Sequence, residues 1–380
     1  MALSAIPSAS LPELYSRWLR ELFPGPIPAE THATCDACVM LPSAGQILTQ
    51  TPDARTFYFN PSTKCCTYVP QLHNFLVGQI LLDDDPAFAP GRSSVESRLA
   101  ARLGISPLGL APPSSYSLQY EHGTLAFGRS RAMRCPHYLD EGGRCGVWKY
   151  RESTCCTWFC KYVRGAVGQN FWREALHPLL QTVEHQLAMW CLVELEFDAE
   201  PLEALLDASA RSDAADPLKP EELDGRVEPA EYARLWGRWR GREADLYREC
   251  ARLVSPLSWA QVLAIGGAEV QARARVATRA HARLMDSSIP ARLAAGSVQL
   301  VQIGPEITRV ASYSNELDPL DVPTPLLFAL RYFDGRLTQD ALREIKQNEG
   351  ITLQEDLVRK LVDFSVLVSP GLSGIHSGED

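Results

Sequence analysis

Apolar positions recur with helical spacing in several separated stretches of the chain. Near the N-terminus LPELYSRWLRELF reads as a short amphipathic helix, and VESRLAARLG as a short helix inside an insertion rich in Pro, Ser and Asp at its ends. FWREALHPLLQTVEHQLAMWCLVELEF predicts a long apolar helix in which Pro178 sits in the first turns or makes a kink. EYARLWGRWRGREADLYRECARLV predicts one further helix and SWAQVLAIGGAEVQARARVATRAHARLMD a second, basic between Arg273 and Arg283 as a solvated face would be. Between the insertion and the cysteines that follow, YSLQYEHGTLAFG alternates, predicting β-structure on either side of a turn at His122-Gly123.

The last segment is patterned differently. VQLVQIG and EITRVASYS predict two strands joined at Gly304-Pro305, and PTPLLFALRYF a helix stopped at Asp334-Gly335. LTQDALREIKQNEG predicts a helix ending at Gly350. Thr352 with Glu355 then forms a capping box for LQEDLVRKLVDF, whose Leu357, Val358, Leu361 and Val362 share a face. SVLVS closes the unit as a strand. The whole predicts an α+β chain: an N-terminal helix (1–29), a cysteine-rich metal-binding domain (30–197, with an insertion near 83–115), an acidic linker and helical middle region (198–296), a small winged-helix-like domain (297–370) and a tail (371–380).

A length of 380 residues supports two or three domains. The net charge of −9 argues against a nucleic-acid binder. No apolar run is long enough to cross a bilayer, and the N-terminus lacks a secretory pattern, so the expected compartment is the reducing cytoplasm. That expectation decides how the 11 cysteines are read, because reduced clustered thiols are metal ligands or catalytic groups rather than disulfides.

Nine of the 11 lie between Cys35 and Cys160. Cys35 and Cys38 form a CxxC, which presents two thiolates on one turn, and the pair Cys65-Cys66 follows. After the insertion come Cys135, Cys145, the pair Cys155-Cys156, and Cys160. These nine are the candidate ligands of zinc or iron, an iron–sulfur cluster included. Cys191 and Cys250 stand alone in helical patterns and are assigned to packing. His32 and His137 are surface or outer groups near ligands, and His73 caps or packs close to the first cysteine group. Trp148, Trp158, Phe159 and Tyr162 supply an apolar shell.

The stretch RCPHYLDEGGRCGVWKYRESTCCTWFC resembles the second half of the YkgJ-type cysteine-cluster family of zinc- or iron-chelating domains. Cys135, Cys145, Cys155 and Cys160 fall on its four cysteines, with Leu139, Val147, Trp148 and Arg151 at positions of similar residues. Cys35 and Cys38 match the opening CxxC of its first half and Cys65-Cys66 the closing pair, although a long segment separates them here. Cys156 is additional to the match. The resemblance implies metal chelation over about a third of the chain and leaves a reaction open; no nucleophile elbow, HExxH or glycine-rich SAM loop is present. The segment from VQLVQIG to SVLVS is similar to PqqD-like domains, which implies a peptide or protein partner. Two functions follow as expectations: a metal-binding, scaffold or sensor protein, or an iron–sulfur peptide- or protein-modifying enzyme or maturation factor.

Overall fold

A computed structural model of the chain describes residues 11–30, 38–41, 58–123, 126–203, 205 and 228–370. In chain order its elements begin with α1 (Glu13–Leu22), β1 (Leu72–His73), α2 (Asn74–Leu82), α3 (Ala89–Ala101), β2 (Ile105–Ser106), β3 (Gly109–Leu110) and α4 (Ser114–His122). There follow β4 (Tyr138–Leu139), β5 (Arg144–Cys145), α5 (Ser153–Thr157), α6 (Gly165–Gln169), α7 (His177–Glu194), α8 (Pro229–Trp236), α9 (Glu243–Val254) and α10 (Trp259–Met285). The chain ends with β6 (Arg292–Ala295), β7 (Gln299–Gln302), β8 (Ile307–Ala311), β9 (Leu320–Pro323), α11 (Thr324–Leu330), β10 (Asp334–Leu337), α12 (Thr338–Glu349), α13 (Glu355–Asp363) and β11 (Leu367–Val368). Helices mixed with small antiparallel sheets make this an α+β protein.

Over the described residues the chain forms two compact units. The first draws on Met1–Ala29, Thr34–Trp158 and Leu176–Arg275, the second on Glu30–Ala33, Phe159–Ala175 and Val276–Asp380.

In the first unit α1 buries Leu14, Tyr15, Trp18 and Leu19, the stripe its spacing foretells. The Trp18 indole donates to the Leu257 carbonyl at 2.7 Å. The buried helix α2 lies against α9, and Gly78 sets their approach: a Cβ there would stand 1.8 Å from the Tyr247 carbonyl oxygen. The Tyr247 hydroxyl in turn donates to Ser106 O at 2.6 Å, tying α9 to the small sheet β1-β3-β2. Pro178 falls in the first turn of α7, directly after a π-helical stretch, Asn170–Leu176. Cys191 and Cys250 are fully buried, and the Cys191 thiol faces the Cys250 carbonyl at 3.8 Å, as packing residues.

Three local expectations are overturned here. Residues 114–122 form the helix α4 rather than a strand: Tyr116 and Tyr120 stack one turn apart with centroids 6.0 Å from each other. EYARLWGRWRGREADLYRECARLV is two helices, because Gly237 (φ 47°) and Gly241 (φ 77°) adopt left-handed backbone between them. Gly267 (φ 61°, ψ −151°) likewise kinks α10.

The second unit gathers Leu293, Val310, Leu320, Val322, Leu326, Ala329, Phe333, Ile345, Val358, Leu361, Phe364 and Leu367 into one core. β7, β8 and β9 form an antiparallel sheet, while β6 lies between β10 and β11 in another. Val358 and Leu361 point into the core, with Leu357 and Val362 partly buried beside them. The capping box does not form: α13 starts at Glu355 behind Gln354, without a side-chain cap. Strands β6, β9 and β10 were not read from the sequence. Arg164 holds Asp363 bidentately, Nε to Oδ2 at 2.9 Å and Nη2 to Oδ1 at 2.6 Å.

No single helix among the described residues is long and apolar enough to cross a membrane. The pair α9 and α10 reaches that composition only together, and it bends by 104° between them. Leu246, Tyr247, Cys250, Val254, Val262 and Val270 of this pair are buried within the protein.

Candidate metal centre

Five short segments of the first unit carry cysteines toward one another. Cys38 opens a turn closed by Leu41 N donating to Cys38 O at 3.1 Å. The Met40 and Leu41 amides also donate to the Cys38 sulfur, the arrangement that stabilises sulfur charge at metal-binding turns. Lys64, in left-handed backbone (φ 51°), introduces the turn bearing Cys65 and Cys66. The Cys135 amide donates to Cys66 O at 2.8 Å, joining this turn to the segment after the insertion. There the His137 amide donates to the Cys135 sulfur. β4 and β5 then pair with Tyr138 opposite Cys145. The last contributor is α5, capped by Glu152, whose carboxylate accepts from Thr154 N at 2.6 Å and Cys155 N at 2.9 Å.

The thiols act on one another electrostatically. Cys66 feels Cys65, Cys145 and Cys135; Cys155 feels Cys145 and Cys135; Cys38 feels Cys65. Burial, then the neighbouring Cys145, pushes the Cys135 thiol up to about 12. Burial and then the Glu152 carboxylate raise Cys155 well above the usual thiol range. Cys65 goes the other way. The Cys66 thiol donating to it, helped by Arg151 and Lys64, brings it down to about 7, and Cys66 is raised in return. Cys65 is also the exposed member of the pair. Loss of one thiol proton here is therefore shared between two sulfurs.

Cations surround these sulfurs. Arg151 is buried, stacks 3.4 Å over Trp148 and donates to Cys155 O at 3.1 Å. The Lys64 ammonium donates to Gly143 O at 2.6 Å. Arg98 is 6% exposed, donates to the carbonyls of Leu103 and Ala111, and lies within electrostatic reach of Cys135.

The remaining candidates have the following surroundings. Cys156, beside Cys155, turns its thiol to Ser153 O at 3.5 Å and meets Arg151, Glu184 and Glu152. Cys160 belongs to the second unit, where its carbonyl accepts from Asn315 Nδ2 at 3.0 Å. Phe159 and Tyr162, expected in the shell of the cysteine domain, also lie in that unit, 5.9 Å apart. Cys35 and His32 fall outside the described residues. His137 is fully buried rather than superficial, with Nδ1 2.8 Å from Ser94 Oγ. His73 precedes α2 without capping it and is buried, with Nδ1 3.8 Å from Glu184 Oε2.

A second polar group lies behind α5. Glu184, 1% exposed, accepts from Tyr15 Oη at 2.5 Å, Ser153 N at 2.7 Å and Ser153 Oγ at 2.7 Å. The Ser153 hydroxyl also lies 3.3 Å from Glu152 Oε2, so one hydroxyl bridges two buried carboxyl groups. Neither Arg98 nor Glu184 was singled out from the sequence. Glu184 carried a signal, an acid among Leu180, Val183 and Leu187 in an apolar helix.

Among the described residues, no three His, Cys, Asp or Glu side chains already stand at metal-ligand geometry. No protein-family model matches the chain, and no curated protein or solved structure matches it either.

Proposed function

We propose that the first unit chelates zinc or iron, an iron–sulfur cluster included, through thiols drawn from Cys38, Cys65, Cys66, Cys135, Cys145 and Cys155. The observation that carries this reading is that the Cys135 amide binds the Cys66 carbonyl while β4 and β5 set Cys145 opposite Tyr138, so that sulfurs from separate segments act on one another, Cys38 through Cys65. The donor set fits such a group chemically. Amides already point at the Cys38 and Cys135 sulfurs, and Arg98, Arg151 and Lys64 offset the negative charge that several thiolates would bring together. A bound ion would supply cross-linking of loops too short to hold themselves, and its stability would be folding stability. Among the described residues no three of these thiols already form a ligand set, so the turns that bear them would have to close on the ion, with Cys35 the further thiol that a CxxC would add.

On this reading the protein is a binding, scaffold or sensor protein of the reducing cytoplasm, with a winged-helix-like second unit. The exposure of Cys65 favours a second reading, an iron–sulfur enzyme or maturation factor, because it leaves an approach to the sulfurs. Metal and labile sulfide content of anaerobically purified protein tests both. Stoichiometric zinc in a colourless sample supports the first and sinks the second; iron with labile sulfide supports a cluster. Protein free of both metals refutes chelation.

A further inference from the structure

Among the described residues, the outer strand of the second unit's sheet is unpaired on one side. β7 is the edge of the order β7-β8-β9, and all four of its residues are exposed. Hydrogen bonding alternates along an antiparallel pair. Because Ile303 N donates to Ile307 O at 3.1 Å, Val301 and Gln299 also turn their backbone groups toward β8. Leu300 and Gln302 therefore turn theirs outward.

The two edges of this sheet differ. β8 presents Thr308 and Val310 to β9, opposite Val322 and Leu320, so the outward groups of β9 belong to Asp321 and Pro323. Pro323 has no N–H to offer, and Asp321 carries a charge, both devices that block pairing. β7 has neither. Residues 299–302 are Gln-Leu-Val-Gln, and Leu300 is 51% and Val301 39% exposed, with Ile303 and Ile307 beside them at 39% and 47%.

We propose that β7 pairs antiparallel with β7 of a second copy of this chain, extending the sheet across a two-fold axis. A two-fold normal to the sheet sets residues of the same face opposite each other. Centred on Leu300, it places Leu300 against Leu300 of the partner copy and Gln299 against Val301. Leu300 shares its face with Val310, Leu320 and Val322, which are buried. Pairing covers the apolar member of that face left half in solvent, beside the exposed Gln302. No charge lies on the strand, so two copies of an acidic protein meet here without repulsion. The interface involves far fewer than the 20–30 residues a side of a standard complex, so the dimer is weak and reversible.

Sedimentation velocity of the full chain, over a range up to on the order of 100 µM, tests this. The wild type is expected to shift from monomer to dimer with concentration. Leu300→Pro removes an outward N–H that β8 does not use, and Leu300→Lys sets like charges opposite each other; each should weaken the dimer at least tenfold. Circular dichroism confirms that either variant remains folded. A wild type that stays monomeric throughout overturns the proposal and leaves the edge to a strand from another protein. So does a dimer that survives in a folded Leu300→Lys chain.

Discussion

The amide of Cys135 donates to the carbonyl of Cys66 at 2.8 Å, across an interval of 69 residues that contains the whole insertion. This one bond fixes the first group of cysteines against the second. Around it lie the sulfurs on which the proposed metal centre depends.

Substitution should separate the cysteines by their direction. Cys135→Ser, Cys145→Ser or Cys155→Ser each removes a sulfur from the mutually interacting set, and metal per chain should fall by most of its value. Cys156→Ser should leave it unchanged, because that thiol faces Ser153 O and the Glu184 side of α5. Elemental analysis of the purified variants checks this, and metal loss in Cys156→Ser alone would invert the assignment.

Arg98 is a buried cation that acts on Cys135 and rests on the carbonyls of Leu103 and Ala111. Arg98→Met should strip both carbonyls of their donor and cost about 2–4 kcal/mol of stability. It should also weaken metal retention against a chelator, since positive charge is lost beside a thiolate. Chemical denaturation and a chelator titration read the two effects separately.

Gly78→Ala tests the approach of α2 to α9. The added methyl meets the Tyr247 backbone carbonyl, which cannot swing away as a side chain would. A loss of roughly 1–3 kcal/mol or more is expected in thermal or urea denaturation, against the gain that Ala gives in an unhindered helix.

The polar group behind α5 gives a pH dependence. Burial, then the Glu152 charge, holds the Glu184 carboxyl up at about 8 against an ordinary value of 4.5. Between those values the unfolded chain has released a proton that the folded chain keeps. Stability on this account falls as pH rises from 4.5 to 8, by up to about 1.4 kcal/mol per unit. Burial, then His185, depresses His73 to about 3 from 6.5, so its contribution is lost as pH falls through that window. The two slopes oppose each other between 4.5 and 6.5, where burial also depresses His137 to about 3 and adds to the His73 slope. Glu30, held up to about 7 by burial, adds to the Glu184 slope, and Cys65, brought down to about 7, opposes it above that pH. Glu184→Gln should flatten denaturation midpoints between pH 6.5 and 8, and an unchanged slope would reject this assignment.

Long periodic stretches were legible in the sequence. The stripe of α1, the hairpin of β7 and β8, and the Gly350 stop of α12 all follow from local rules, Gly350 adopting φ 67°. Alternation misled at α4 because Tyr116 and Tyr120 serve equally as strand neighbours and as a helical pair; the Tyr116 hydroxyl meeting Val69 N at 2.9 Å belongs to tertiary structure. In GRWRGR the apolar period outweighed two glycines whose left-handed backbone breaks the helix. At the candidate site, spacing brought forward the cysteines. It set Cys156 apart as additional to the match, and neighbouring side chains on a short helix do diverge, but it gave no hint that Cys160 belongs to the other unit. Arg98 carried no signal of its own in the sequence, and only the fold sets it within electrostatic reach of Cys135.

X-ray absorption at the metal edge of the purified protein tests the central claim most directly. The account predicts a first shell dominated by sulfur, at about 2.3 Å for zinc, and lost in Cys135→Ser. A shell of nitrogen and oxygen alone, or a spectrum unchanged by that substitution, would contradict it.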